Sequence, residues 1–232
     1  MNGHIHDPLW VKILLAIHIA TGTTAFLLAP VALATVKGGK QHKRWGKVYL
    51  WSMGTVAATA VPMAFFFPVR FLALVAVFSF YLAFAGYRVL RLRDLARGGR
   101  AAPIDWIAAI LTLAASAFLA WLSAFRPRSI EVIPVVGVIF GFIGMSAAVR
   151  QIVLFVYKPK EKMFWWYGHL GNFIGSYIAA WSAFSVVTLG QILGNSVYVW
   201  LWPSLIGVPA IALTTAYYKR KFAPKARSAT AA

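Results

Sequence analysis

The chain of 232 residues has no cysteine and only five acidic residues. The lack of cysteine excludes disulfides, thiol nucleophiles and cysteine metal sites. The acids all fall at or near the ends of apolar stretches: Asp7, Asp94, Asp105, Glu131 and Glu161. Proton- and cation-coupled carriers usually hold a carboxylate near the middle of the membrane. This pattern disfavours such a carrier, and it excludes a hydrolase that uses paired carboxylates at membrane depth.

Charged residues of either sign are scarce, at 12% of the chain, whereas 61% of residues are hydrophobic. Soluble proteins average about a quarter charged residues. The sequence also has no Gly-rich phosphate loop followed by Lys-Ser/Thr, and no His-Glu-x-x-His motif. The composition therefore indicates a membrane protein without the common signatures of a nucleotide or zinc-protease site.

Seven long apolar stretches fill the chain, and each approaches or exceeds the roughly 20 residues that span a bilayer core. We predict an all-α, polytopic membrane protein with one seven-helix transmembrane domain over residues 1–222 and a disordered basic tail over residues 223–232. The predicted helices lie near Leu9–Val36, Lys47–Phe67, Arg70–Leu90, Pro103–Phe125, Val132–Tyr157, Met163–Leu193 and Val197–Tyr218.

Lysines and arginines are concentrated in every second gap between these stretches, after the first, third, fifth and seventh. Basic loops stay on the cytoplasmic side of a membrane, which predicts an external N-terminus and a cytoplasmic C-terminus in a bacterial inner membrane. The net charge of +18 then reflects loops that hold the topology and touch anionic headgroups. No nucleic-acid partner is expected.

Histidines are the candidate functional groups, because neutral imidazole binds metals and haem iron. His18 falls in the first stretch, His169 in the sixth, and His42 in the basic segment before the second. At a helical rise of about 1.5 Å per residue, the depths of His18 and His169 permit a shared site. His42 lies at the inner interface, nearer in depth to His169, and the sequence does not choose between the two pairings.

The sixth stretch also carries a polar stripe and a small-residue face. His169, Asn172 and Ser176 share one side of the predicted helix, and Gly171 and Gly175 run beside them. Small residues at this spacing allow a second helix or a flat cofactor to approach the backbone. A packing seam, in which the histidine only hydrogen-bonds a neighbouring helix, is the alternative interpretation.

Arg150 adds a cation in the cytoplasmic half of the fifth stretch, near the predicted depth of His169. Arginine is well suited to planar carboxylates and phosphates. It could hold a haem propionate, a lipid phosphate or an anionic substrate. Alternatively, its side chain extends to the cytoplasmic headgroups.

Three segments carry a resemblance to known proteins: His18 to Gly22, His42-Lys43-Arg44 followed by Gly46 and Tyr49, and His169 followed by Gly175 to Ala180. They resemble an uncharacterised family of bacterial polytopic membrane proteins, which implies no function. A looser similarity joins the element around His42 to transmembrane cytochromes of the b561 kind. That similarity implies haem ligation by membrane histidines, although the full set of paired histidines of those cytochromes is missing.

Three functions compete on this evidence, and the sequence leaves open whether the protein is an enzyme. The first is a redox protein with a b-type haem, held by His169 with His18 or His42, that exchanges electrons with quinone. In it, Arg150 holds propionates while Asn172, Gly171 and Gly175 line the cofactor. The second is a non-catalytic scaffold of a larger complex with other membrane subunits. The third is an intramembrane zinc enzyme with His18, His42 and His169 as ligands.

Overall fold

The computed structural model describes residues 8–126, 132–157, 159–194 and 196–222. Every regular element in these ranges is helical, which confirms the all-α class. Seven long helices occur there: α1 (Leu9–Ala34), α2 (Lys40–Met63), α3 (Arg70–Arg88), α4 (Pro103–Phe125), α5 (Pro134–Val156), α6 (Phe164–Thr188) and α7 (Val197–Phe222). Two short 3-10 segments, Val89–Arg91 and Arg93–Arg97, follow α3, and a single turn at Gly190–Leu193 follows α6. The tail predicted for residues 223–232 lies outside the described residues.

Six of the helices in the described ranges are long and apolar enough to cross a membrane, and α2 is the exception. The first two turns of α2 carry Lys40, Lys43, Arg44 and Lys47, which lower its mean hydropathy. Large apolar side chains project outward along the bundle, for example Leu111 and Leu213. In water such surface would be unfavourable, so the structure is that of a multi-pass α-helical membrane protein.

Two predicted boundaries are wrong. The second helix begins at Lys40, not at Lys47, because lysine, arginine and glutamine are good helix formers and Gly39 supplies an extended residue before the first turn. The stretch predicted as Met163–Leu193 is divided, since α6 ends at Thr188 and a separate turn begins at Gly190. The remaining boundaries agree within the ±2–4 residues that such predictions allow.

Helix α3 lies at the centre of the bundle, between α2 and α6, with α1 packed on α2 and α7 on α6. More than half of its membrane-length window, 56%, is buried against protein, whereas the corresponding share is 33% or less for the other five spanning helices. α4 and α5 form an antiparallel pair with closely approaching backbones. A Cβ added to Gly141 of α5 would lie 2.7 Å from Ala120 Cβ of α4, which shows why a small residue is needed there.

The helices alternate in direction, so the cationic segments collect at one end of the bundle, which we call the basic end. Contacts there join α3 to α4 through Arg88 and Asp105, and α6 to α7 through Trp166 and Tyr218. The opposite end is closed by an aromatic cluster of Phe71, Phe140 and Trp200. The candidate site lies near the basic end.

Candidate functional site

The structure brings His42 and His169 together, and we call them the histidine pair. His42 lies in the first turn of α2 and His169 in the second turn of α6. Their ring centroids are 6.0 Å apart, with an angle of 73° between the ring planes. Two helices far apart in the sequence therefore present one imidazole each to the same region of the basic end.

Each ring of the pair is fixed by a backbone carbonyl. Nδ1 of His42 lies 3.0 Å from Ala32 O at the end of α1, and Nδ1 of His169 lies 2.9 Å from Gly86 O in α3. A carbonyl oxygen only accepts, so in both rings Nδ1 carries the proton and donates. When the rings are neutral, both Nε2 atoms keep a lone pair, and this is the arrangement that metal-binding histidines usually have.

Gly86 makes the second of these bonds possible, because it lets α3 and α6 come close together. A Cβ at this position would lie 2.6 Å from Phe173 Cδ2 and 3.1 Å from Asn172 Cβ, both on α6. A larger residue would separate the two helices and move the carbonyl away from His169. Gly86 was not among the residues predicted for the site, although an isolated glycine within a helical stretch is a signal of close approach.

Two cationic side chains act electrostatically on the ring of His169. The charges of Arg93 and Lys37 both act on the ring of His169, and the guanidinium of Arg93 is stacked 3.8 Å above the ring of Trp165. Lys37 donates to Leu33 O, and partial burial lowers the pKa of Lys37. The surroundings of the histidine pair therefore favour an anionic or electron-rich ligand.

His18 lies away from the histidine pair, towards the middle of α1. Its Nδ1 donates to Thr59 Oγ1 at 2.9 Å, and the hydroxyl proton of Thr59 is used by Thr55 O within α2. His18 lies 14 residues before Ala32, or about 21 Å along α1. Of the two pairings left open by the sequence, the structure assembles His42 with His169 and leaves His18 apart.

Arg150 also lies away from the pair. It is exposed on α5, which packs mainly against α4, and its charge acts on Tyr81 of α3. The cations close to His169 are instead Lys37 and Arg93. The depth of Arg150 along its helix was a poor guide, because depth does not tell which face of the bundle a residue occupies.

The small residues of α6 lie against neighbouring helices. A Cβ on Gly175 would meet Leu82 of α3 at 3.4 Å, and one on Gly171 would meet Ile211 of α7 at 3.9 Å. Asn172 faces Gly86. The glycine face is thus used for helix packing, while the end of α6 that carries His169 meets the basic end.

Ser176 is fully buried and joins three helices. Its hydroxyl donates to Ser79 O of α3 at 2.7 Å and accepts from the hydroxyl of Tyr49 of α2 at 2.9 Å. From the sequence, Ser176 was expected on the polar stripe with His169, as one of the groups that could orient a ligating imidazole; the structure pairs it with Tyr49 and Ser79 instead. Its two hydrogen bonds link α2 to α6 and α6 to the central helix α3. They therefore help to fix the relative positions of the two helices that carry the histidine pair.

A second polar link supports the basic end. Arg88 donates from Nε to Asp105 Oδ1 at 2.6 Å and from Nη2 to Oδ2 at 2.8 Å. Asp105 Oδ2 also accepts from the Ala102 backbone N–H at the start of α4. The Asp105 side chain is 2% exposed, so this bidentate pair is shielded from water. Sequence reasoning placed Asp105 at the membrane edge but did not find its partner.

In the part of the chain that the structure describes, no group of three or more histidine, aspartate or glutamate side chains could hold a metal ion. The histidine pair is thus a two-ligand arrangement. No protein-family model matches the chain, and neither a curated protein nor a solved structure shows similarity to it.

Proposed function

We propose that the protein is a membrane-embedded redox protein that binds a b-type haem through His42 and His169. The observation that carries the proposal is the pairing of two imidazoles whose Nδ1–H groups both donate to carbonyls. Their Nε2 atoms are thereby left as ligands, and the orienting bond is the one that ligating histidines need.

The spacing of the pair fits a single iron. A single haem iron would be held by both imidazoles only if the two rings lie close together. The observed separation is 6.0 Å. Lys37 and Arg93 are the cations that would hold the propionates, in place of Arg150.

A bound haem supplies one-electron chemistry, and the protein sets its properties. The two carbonyls orient the imidazoles and raise their basicity as ligands. Phe173, whose ring centroid is 4.7 Å from that of His169, provides an apolar wall on one side. We propose the quinone of the bilayer as the electron partner.

The topology completes the proposal. α2 is as long as its neighbours at 24 residues, or about 36 Å, which is comparable with a hydrocarbon core of about 30 Å together with the headgroup region on its cationic side. We propose that it crosses with the other six, with the N-terminus outside and the basic end at the cytoplasmic face of a bacterial inner membrane. Reporter fusions at Gly39, Gly98 and Lys160 should read cytoplasmic, and fusions at Pro68 and Asn195 external. A cytoplasmic reading at Asn195 would refute this orientation.

A scaffold within a larger membrane complex is the second candidate. It is favoured by the use of both Nδ1 atoms in links between helices, α2 to α1 and α6 to α3. In that role the imidazoles are packing groups, and other membrane subunits are the partners. The zinc enzyme has less support, because His18 is separated from the other two histidines.

Absorption spectroscopy of the detergent-purified protein separates these functions. The redox proposal predicts a Soret band that sharpens on reduction with dithionite. His42→Ala and His169→Ala should each abolish haem retention, whereas the control His18→Ala should retain it. A protein that stays colourless after reconstitution with haem, or haem retention in both variants of the pair, would favour the scaffold. Stoichiometric zinc in the colourless protein would favour the third candidate.

A further inference from the structure

A groove of about 780 Å³ runs along the outer side of α1 and α2, apart from the histidine pair. One stripe of α2 forms most of its lining, since Lys40, Lys43, Lys47, Trp51 and Thr55 recur at helical spacing on a single face. Thr21 of α1 also lines the groove, and we call the end formed by Thr21 and Thr55, farthest from the cations, the deep end. The groove therefore follows the bundle axis from the basic end into the apolar part of the protein.

The two ends of the groove differ in chemistry. The part of the groove at the basic end is lined by four cationic side chains, Lys40, Lys43, Arg44 and Lys47. None of the residues that line the groove is acidic. Farther along, Trp51 lines the groove with 74% of its surface exposed, and Thr21 of α1 and Thr55 of α2 line the end that lies farthest from the cations. A positively charged region thus continues into a part of the groove that is lined by no charged residue.

The length of the groove matches this division. Lys40 and Thr55 are 15 residues apart on one helix, or about 22 Å, which is comparable with one leaflet of the membrane including its headgroup. A free anion would fill only the cationic end. A second copy of this chain is disfavoured, because it carries the same net charge of +18 and would be repelled.

We infer that this groove binds one anionic phospholipid, with the phosphate at Lys43, Arg44 and Lys47 and an acyl chain along Trp51 towards Thr55. Basic pockets between membrane helices are suited to such headgroups. The groove also explains why α2 is less apolar than the other long helices: its cations serve the ligand. This inference goes beyond the proposed redox function and does not depend on haem binding.

The test compares two lipids of identical acyl chains, phosphatidylglycerol and phosphatidylcholine, on the full-length protein in neutral detergent by native mass spectrometry. Wild type should retain one phosphatidylglycerol in preference to phosphatidylcholine. The triple variant Lys43→Gln/Arg44→Gln/Lys47→Gln should bind phosphatidylglycerol about a hundredfold more weakly, because each cation near an anionic headgroup contributes favourably. These residues are exposed, so the lipid-free melting temperature should stay unchanged.

The matched control is Lys219→Gln/Arg220→Gln/Lys221→Gln, which removes three charges from the end of α7 outside the groove. It should bind the lipid like wild type. Equal weakening in both triple variants would mean general attraction to a cationic protein and would overturn the inference.

A second variant tests the acyl chain rather than the headgroup. Thr55→Phe keeps every cation but fills the deep end of the groove, and it should also lose phosphatidylglycerol. Soluble glycerol 3-phosphate, added to wild type, should not compete. Full lipid binding by Thr55→Phe, or competition by glycerol phosphate, would identify a phosphate site alone and refute the lipid groove.

Discussion

Replacing Gly86 with alanine tests how closely α3 and α6 approach and whether that approach positions His169. The added Cβ would lie 2.6 Å from Phe173 Cδ2 and 3.1 Å from Asn172 Cβ. The phenyl ring has some freedom to turn, but Asn172 Cβ is fixed to its backbone, so the helices must separate. Overpacking of this kind costs about 1–3 kcal/mol, and weakening the bond from His169 Nδ1 to Gly86 O costs about 1 kcal/mol more.

Alanine also gains helix propensity over glycine, by about 1 kcal/mol. The net loss in free energy of unfolding for Gly86→Ala should therefore be about 1–3 kcal/mol. Gly46→Ala is the matched control, because Gly46 lies within α2 and a Cβ there meets nothing within 4 Å. It should be neutral or stabilised by up to about 1 kcal/mol.

The assay is unfolding by increasing sodium dodecyl sulfate in mixed micelles, followed by far-UV circular dichroism for wild type and both variants. A double variant, Gly86→Ala/Phe173→Leu, should recover part of the loss, since leucine frees some of the space that the new methyl group needs. If Gly86→Ala were as stable as Gly46→Ala, the close approach of α3 and α6 would be wrong. The carbonyl support of His169 would then be wrong as well.

Two further predictions concern buried polar links. Asp105→Asn should lower the free energy of unfolding by about 3–5 kcal/mol, because it leaves the shielded guanidinium of Arg88 without its counter-charge. The control is Asp94→Asn, which removes an exposed ion pair and should have no measurable effect in the same unfolding titration. Ser176→Ala should cost about 1–3 kcal/mol, since it leaves the buried hydroxyl of Tyr49 without a partner. Tyr49→Phe should cost less, because Ser176 keeps its bond to Ser79 O; a larger loss in Tyr49→Phe than in Ser176→Ala would contradict the assigned donor directions.

Local patterns in the sequence were enough to predict the helices themselves. The bounds of Pro103–Phe125 are the same in prediction and structure, because a proline opens that helix and charged residues flank it. The predicted start of α2 was wrong, because the run from Lys40 to Lys47 has the charge that often marks the end of a membrane helix. Charge sets where a helix meets the headgroups but does not end its hydrogen bonding.

The candidate site was predictable only in part. Membrane depth singled out His42 and His169 as one of two possible pairs, but depth alone could not decide against His18. The choice depends on α3 lying between α2 and α6, and no local pattern encodes which helices are neighbours. For the same reason, the roles of Gly86 and of the Arg88–Asp105 pair were not predicted. Gly86 of α3 is contacted by α6, and Asp105 of α4 is bonded to Arg88 of α3, so each role depends on a helix elsewhere in the chain.

The central position of α3 also constrains how the protein is made. The carbonyl of Gly86 accepts its hydrogen bond from His169, which lies 83 residues later in the chain, and the hydroxyl of Tyr49 bonds to Ser176, 127 residues later. These bonds can form only after α6 has been synthesised. During synthesis the first three helices leave the ribosome before α6 does. Their polar face must be sheltered meanwhile by the insertion machinery or by one another. A chain stalled before residue 164 would therefore present an unfinished surface to lipid, and quality-control proteases should remove such a fragment faster than the complete bundle.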